Sequence, residues 1–506
     1  MKNASYLLCV LTVLVNVALA QDPGTIPWTP KATGGLVPCV VSVPAMYRSI
    51  NIDSVRQRLM LPLGWTANVF VAGPELAKPR FMAWGPDSVL FVANMSKNNI
   101  VAMPDRNRDG VADTVIVAAR GFSTGHDVRF WRDTMFVAQE ASIVKLWRSN
   151  PNGYIYDQRV TVIDKASQAN QIGGGHRTRT LVVDTNTMKL YVSVGSRGNA
   201  DREVNRAVIE EYDYDGSNRR VYASGVRNAV GMTLHPRTGK LWANNNGSDN
   251  QGNNIPPEWV DIVREDGFYG YPFAYHFRRF FSLTGEYSDL LPITRNDTLL
   301  LQRMQPPAAL VDAHCAPMAL VFVEQTPITE FRHSAFMAMR GSWNRTPPSG
   351  SKIVRFEFDS DEDTIANAVH DFCTGFITDT NDAATRWARP VGLALASDGS
   401  VYVSSDDIKN MIIKLTPPKT VSVREDGGAP SLGLSPNPAS SRVRVHGAHV
   451  GDLVAIVDVH GRIIDEQLAS TEEPSLVIAT LTPGVYQVRV IRDSTVVLTE
   501  QLVVSR

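Results

Sequence analysis

Gly173-Gly-Gly-His176, followed by RTRTLVVDTNTMKLYVSVGSRGN from Arg177 to Asn199, is the stretch that decides the fold. Glycines lead to a polar residue, an apolar strand follows, a turn falls over Asp184–Asn186, and a second strand runs Leu190–Val194. The same order of events recurs. Arg80 leads FMAWGPDSVLFVAN, His126 leads DVRFWRDTMFVAQE, and Arg227-Asn228 leads AVGMTLHPRTGKLWANNNG. His314 leads CAPMALVFV, with a longer connection before FMAMRGSWNR, and Arg389 leads PVGLALASDGSVYVSSDD. That makes six copies.

The first four begin roughly 45–50 residues apart, which is the period of four-stranded propeller blades rather than of helical solenoids. In such a ring the first strand of each blade lines a central channel. The residues just ahead of those strands then converge on one mouth: Arg80, His126, His176, Arg227, Asn228, His314 and Arg389. The expected fold class is all-β, a six-bladed β-propeller over 59–416.

Outside the repeats, residues 1–20 read as a signal peptide: Lys2, an apolar run Tyr6–Ala18, and Ala18-Leu19-Ala20 as a small-residue cleavage site. No later run approaches the roughly 20 apolar residues of a membrane helix. Residues 21–58 form a Pro- and Gly-rich extension, and 417–431 a charged linker. Residues 432–506 carry six or seven short strand patterns, enough for a small Ig-like β-sandwich. After loss of Cys9, three cysteines remain, Cys39, Cys315 and Cys373, so at most one disulfide can form. Formal net charge is −1 with both signs interspersed. There is no basic stripe, which points away from nucleic acid and anionic membrane. The expected pocket is nevertheless locally cationic and suits a small anion.

The candidate chemistry sits on that mouth. His176 follows three glycines, whose lack of side chains lets a ligand approach the backbone, and an imidazole suits a general base. Arg227 offers a bidentate fork and Asn228 an amide. Arg345 and Arg389 are further cationic contacts, with blade ties as the alternative role. Trp343 is either a stacking surface or core. Gly270-Tyr271-Pro272, within DGFYGYP, turns carbonyls outward in a way that suits Ca²⁺. Asp105, Asn107 and Asp109, with Gly110 and Asp113, match the first half of a calcium loop, but Ile116 stands where a closing Glu belongs. A structural ion and a solvated hairpin tip are the two readings. No Cys-x-x-Cys or His-Glu-x-x-His motif and no nucleotide-binding glycine fingerprint occurs.

In the order HRTRTLVVDTNTMKLYVSVGSRGN, GVRNAVGMTLHPRTGKLW, GFYGYP, HCAPMAL, GSWNRTPPSGSKIVRF and RPVGLALASDGSVYVSSDD, these motifs resemble the soluble glucose/sorbosone dehydrogenases. The resemblance implies a six-bladed propeller that uses pyrroloquinoline quinone (PQQ) with Ca²⁺ to oxidise a sugar, passing electrons to an external acceptor. It implies His176 as the base, and His126, Arg227, Asn228, Arg345 and Arg389 as cofactor contacts. It also implies the carbonyls of Gly270, Tyr271 and Pro272 as calcium ligands, with Tyr271 where Trp is usual. Gly175 stands where an Asp precedes the histidine in the glucose enzymes, and His126 where a glutamine is expected. Both lean towards a sorbosone or pyranose substrate. Leu434-Ser-Pro-Asn-Pro438, Asp458 with Gly461-Arg462, Leu481–Tyr486 and the last strand resemble the C-terminal sorting domain of Bacteroidetes secretion systems. That implies passage through the periplasm, with release or attachment at the cell surface. A non-enzymatic propeller binding carbohydrate or a protein at the same mouth is the alternative function.

Overall fold

The computed structural model describes residue 29, residues 31–32 and 35–324, residues 326 and 328–418, and residues 433–458, 462–492 and 495–505. The expected signal peptide and most of the expected linker lie outside the described residues. Two compact units divide at residue 418.

In the first unit the repeats fold into six successive antiparallel sheets, each built around four core strands. The first sheet comprises Pro79–Trp84, Leu90–Asn94, Asn99–Met103 and Ile116–Arg120. The second comprises Asp127–Trp131, Thr134–Gln139, Ser142–Trp147 and Gln158–Asp164. The third is Leu181–Asp184, Lys189–Val194, Val208–Asp213 and Arg220–Ser224, extended by Gly267–Phe268. The fourth is Met232–Leu234, Leu241–Asn245, Glu258–Ile262 and Ala309–Val311. The fifth is Pro317–Phe322, Ser334–Met339, Lys352–Glu357 and Ala368–Cys373. The sixth takes Pro390–Leu395, Val401–Ser405 and Met411–Thr416 from the last repeat and Thr66–Ala72 from the start of the unit.

The quoted stretch folds as its residues require. Asp184 accepts from the Asn186 and Thr187 amides at 2.9 and 3.2 Å, closing the turn between its first two strands. Second and third strands such as Leu90–Asn94, Glu258–Ile262 and Val401–Ser405 are buried at every position. Neighbouring sheets therefore cover both of their faces, and the usual polar alternation is lost. The first strand of each sheet touches the first strand of the next, and Pro390–Leu395 returns to Pro79–Trp84, so the six sheets close a ring.

The N-terminal extension is used as structure. Leu36–Ser42 and Arg58–Pro62 widen the sixth sheet, and Lys31–Ala32 adds to the fifth. The insertion after Phe273 forms a short hairpin, Ala274–Tyr275 with Arg279–Phe280, and a helix Arg295–Gln302 capped reciprocally by Thr294 and Asp297. Its aromatic cluster includes Phe268, Phe273, Tyr275, Phe281 and Tyr287. Cys39, Cys315 and Cys373 are free, and burial pushes the Cys315 and Cys373 thiols up.

The second unit holds a three-stranded sheet (Gly433–Ser435, Arg442–His446, Ser475–Val477) and a four-stranded sheet (Leu453–Val457, Ile463–Leu468, Gly484–Arg492, Thr495–Val504). They share one core that includes Val443, Val454, Ile456, Val488 and Leu502.

Candidate active site at one mouth of the ring

The loop from Gln171 carries His176 to the start of the third sheet. His176 is partly buried, and its Nδ1 lies 2.9 Å from the Ser196 carbonyl and 3.0 Å from the Ser196 hydroxyl. A carbonyl can only accept, so Nδ1 carries the hydrogen and Nε2 keeps the lone pair. Burial, then the Arg227 charge, hold the imidazole well below its ordinary range, at about 3. Gly195 lies between His176 and Asn228: a Cβ there would come within 2.6 Å of His176 Cβ and 2.7 Å of Asn228 Oδ1. The Gly174 φ of +83° and its packing on Arg197 leave no room for a side chain, so the glycine run is needed for shape.

Neighbouring sheets are tied at this end by polar bonds. The Ser196 amide donates to Arg227 O at 2.7 Å, the Asn246 side chain to Pro317 O at 2.8 Å, and the Phe81 amide to His126 O at 3.2 Å. Arg389 donates from Nε to Arg340 O at 3.1 Å and from Nη2 to Gly341 O at 2.7 Å. Fully buried Asp406 accepts from Arg80 Nη1 and from Arg340 Nε, the latter at 2.8 Å. Arg80 Nε in turn donates to His126 Nδ1 at 3.2 Å. His126 is fully buried against Phe81, and burial with the Arg80 charge keeps its imidazole neutral, so Nε2 carries the hydrogen. That Nε2–H has no partner among the described residues.

Sequence reasoning names Arg80 and Arg389 here but misses Arg340, Arg386 and Asp406. The signal for Asp406 was the acidic pair closing the last repeat, Ser405-Asp406-Asp407. Three guanidiniums, Arg80, Arg340 and Arg389, meet two carboxylates, Asp406 and Asp407, and Arg386, bonded to the Ser351 hydroxyl, adds a fourth positive charge beside Arg340 and Arg389. Burial, then Arg340 and Arg386, pull Arg389 down to about 10. This excess of positive charge is the electrostatic mark of an anion site.

Arg227 is placed differently from the reading of its side chain as a free fork. Its Nε donates to Asn199 O, Nη1 to Asn246 O and Gly247 O, and Nη2 to Asn199 Oδ1 and Asp249 Oδ2. All five N–H groups are thus spent inside the protein. Asp249 also accepts from Asn344 at 2.7 Å and lies 3.8 Å from His314 Nδ1. Arg345 donates from Nη1 to Ala313 O at 3.0 Å, and its buried Nε has no partner among the described residues. Trp343 is 76% exposed, which rules out the core reading: its two neighbours are pinned and the indole is left outside.

The Gly270-Tyr271-Pro272 turn sits against the third sheet, with the Tyr271 amide donating to Gly225 O at 3.0 Å. The Gly270 carbonyl accepts from the Ala274 amide at 2.8 Å, while no N–H among the described residues bonds the Tyr271 or Pro272 carbonyl. The Tyr271 hydroxyl donates to Glu203 at 3.1 Å and accepts from the Asp201 amide at 3.0 Å. Asp105, Asn107, Asp109 and Asp113 lie in the connection between the third and fourth strands of the first sheet. Their oxygens accept from the loop's own amides, as in Asp109 N to Asp105 at 3.1 Å and Arg106 N to Asp113 at 2.8 Å. Among the described residues no group of three or more His, Cys, Asp or Glu side chains is arranged around a metal position.

The six sheets close a ring, with His126, His176, Arg227 and Arg389 placed ahead of the first strands of four of them. The chain belongs to the TrAA12-like family, whose model matches residues 59–416, and residues 434–505 match the secretion system C-terminal sorting domain. The pyrroloquinoline quinone-dependent pyranose dehydrogenase of Coprinopsis cinerea is 27% identical over 408 residues, covering 67% of this chain and 53% of the enzyme. This chain therefore spans about half the length of that relative. A Trichoderma reesei structure of Carbohydrate-Active Enzymes Family AA12 aligns with a TM-score of 0.60 at 20% identity, over 72% of this chain and 99% of that one. The holo pyranose dehydrogenase PQQ domain from Coprinopsis cinerea aligns at 0.58 and 21%, over 75% and 100%. No described helix is long and apolar enough to cross a membrane.

Proposed function

We propose that the protein is a quinoprotein oxidoreductase that oxidises a sugar hydroxyl of sorbosone or pyranose type, with His176 as general base. The single observation that carries this reading is the His176 geometry: a neutral imidazole with Nδ1 tied to Ser196 and the Nε2 lone pair free. The six sheets are read as the blades of a propeller and the second unit as an Ig-like sandwich.

The residues present fit pyrroloquinoline quinone and Ca²⁺. A tricarboxylate calls for donors, and buried N–H groups without partners among the described residues occur at Arg386 Nη2, Arg345 Nε and His126 Nε2. Asn228 and Arg389 complete the set of cofactor contacts, while Arg227 would contribute its charge more readily than its spent donors. The carbonyls of Tyr271 and Pro272 are available to a hard cation, with Gly270 beside them. Asp105, Asn107, Asp109 and Asp113 are the candidate structural calcium loop. When bound, the quinone with its metal supplies a hydride acceptor. The protein supplies the rest: the polar residues around His176 orient the sugar, and His176 Nε2 takes the hydroxyl proton as the carbonyl product forms. Burial, Arg227 and Arg206 oppose the imidazolium, so an anionic group beside His176 would raise its basicity. We read the tail as sending the chain across the outer membrane, after passage through the periplasm, for release or surface attachment.

The full commitment of Arg227 is the one observation that favours a non-enzymatic carbohydrate- or protein-binding ring. The test is dye reduction by purified protein given the quinone and Ca²⁺, with a panel of pyranoses and osones. His176→Ala is expected to lower kcat by about 10²–10⁴-fold while quinone binding persists. A folded protein that never binds the quinone refutes the enzyme reading and supports the binder.

A further inference from the structure

Arg206 stands just before the third strand of the third sheet and is 3% exposed, and its hydrogen bonds reach beyond the charge it sets against the His176 imidazolium. Its guanidinium bridges the loop that carries His176 and the residues just after the second strand of that sheet. Nε donates to Gly195 O at 2.7 Å, and Nη1 to Asn170 O and Gly173 O, both at 3.0 Å. Nη2 donates to His176 O at 3.3 Å and Ser196 O at 3.1 Å. Five donors thus meet five carbonyls, three from the loop that carries His176 and two from the segment whose Ser196 carbonyl meets its Nδ1. Lys has three donors and Gln two, so no other side chain can reproduce the fork. The buried charge is balanced by Glu203, 3.8 Å from Nε, whose carboxylate also accepts the Arg197 amide at 2.8 and 2.7 Å.

We propose that Arg206 is the positioning residue for His176, joining the Ser196 carbonyl and the 170–176 loop to one guanidinium so that hydrogen stays on Nδ1 and the lone pair on Nε2. The Ser196 carbonyl does here, by geometry, what a carboxylate partner does in other histidine bases. Without the fork, the loop and the 195–197 segment are still joined by the Gly175 amide to Arg197 O at 2.7 Å and by Arg197 Nη2 to Ile172 O at 3.0 Å, but neither bond holds the Ser196 carbonyl, and the ring is free to exchange tautomers.

The catalytic meaning rests on the function proposed above; the tautomer does not. The test is a long-range ¹H–¹⁵N spectrum of the full chain labelled at histidine, without quinone or sugar, with His176 assigned by its loss in His176→Gln. The parent is expected to show Nδ1 protonated and Nε2 bare at pH 7. In Arg206→Lys and Arg206→Gln the two nitrogens are expected to move towards averaged shifts, while the other nine histidines stay put. Ser196→Ala, which keeps the carbonyl, is expected to leave the tautomer unchanged. In the loaded protein, kcat is expected to fall at least tenfold with KM within twofold. A parent that carries hydrogen on Nε2, or a folded Arg206→Lys with an unchanged His176 spectrum, overturns the proposal, and the parent spectrum does so even if both variants fail to fold. A spectrum that moves as expected in a protein that oxidises no sugar leaves the positioning role standing and removes the enzyme reading.

Discussion

Asp406→Asn removes the carboxylate that joins the sixth sheet to the first through Arg80 and to the fifth through Arg340. Asp406 is 1% exposed, and the Arg80 and Arg340 side chains 11% and 23%, so solvent screens the cluster little. Breaking such a pair strands a buried charge, at a cost of about 3–5 kcal/mol. With an unfolding entropy of about 2.1 cal/mol/K per residue over roughly 350 residues, that is a fall of about 4–7 °C in the transition of the first unit. All nine tryptophans lie at or before Trp387, so tryptophan fluorescence reports that unit without interference from the tail. The Arg80 and Arg340 charges hold the Asp406 carboxyl below its usual range, so its contribution is complete above the unfolded pKa and lost as pH falls through the folded one. Parent and variant should therefore converge only below about pH 4. A double-mutant cycle with Arg80→Met should return a coupling of about 1 kcal/mol or more. A shift under about 1.5 °C at pH 7 would mean that the ring closes without this junction, and the reasoning would fail.

Two further outcomes can be checked. Glu258 is fully buried, accepts the Gly247 amide at 2.6 Å, and is pushed up to about 8 by burial, so the folded state holds its proton longer than the unfolded chain does. Stability should fall by about 1.4 kcal/mol per pH unit for this group between about pH 4.5 and 8, and Glu258→Gln should flatten that slope in denaturant titrations. Arg202 grips Asp297 at 2.8 Å through both nitrogens and holds Leu290 O at 2.7 Å. Arg202→Ala should speed proteolytic cleavage between residues 273 and 306 severalfold while the main unfolding transition moves by less than about 2 °C.

The repeats were readable because each combines a short-range pattern with a turn signal: the strands begin at Asp127, Leu181, Met232, Pro317 and Pro390, just after the residues singled out as leaders. Thr66–Ala72 was not readable as the missing fourth strand of the sixth sheet, because nothing local marks a partner so distant. His176 stood out through its glycines. Arg206, Arg340 and Asp406 did not, since each acts by reaching the end of a different strand or sheet, and no spacing within one repeat records that. Arg227 was recognised by position, but only coordinates reveal that its five donors are already used. Residue type leaves Trp343 open between a stacking surface and core, and its pinned neighbours place the indole outside.

The pairing of Met411–Thr416 with Thr66–Ala72 also sets a schedule. A strand made near the beginning of synthesis has to wait for a partner about 340 residues later, roughly 20 to 70 seconds at ordinary elongation rates. Throughout that interval Phe70 and Val71, which end up at 1% and 0% exposure, have no completed sheet to enter. The clasp is fastened only as the last repeat emerges, so the ring of the first unit closes just before its sorting tail is made.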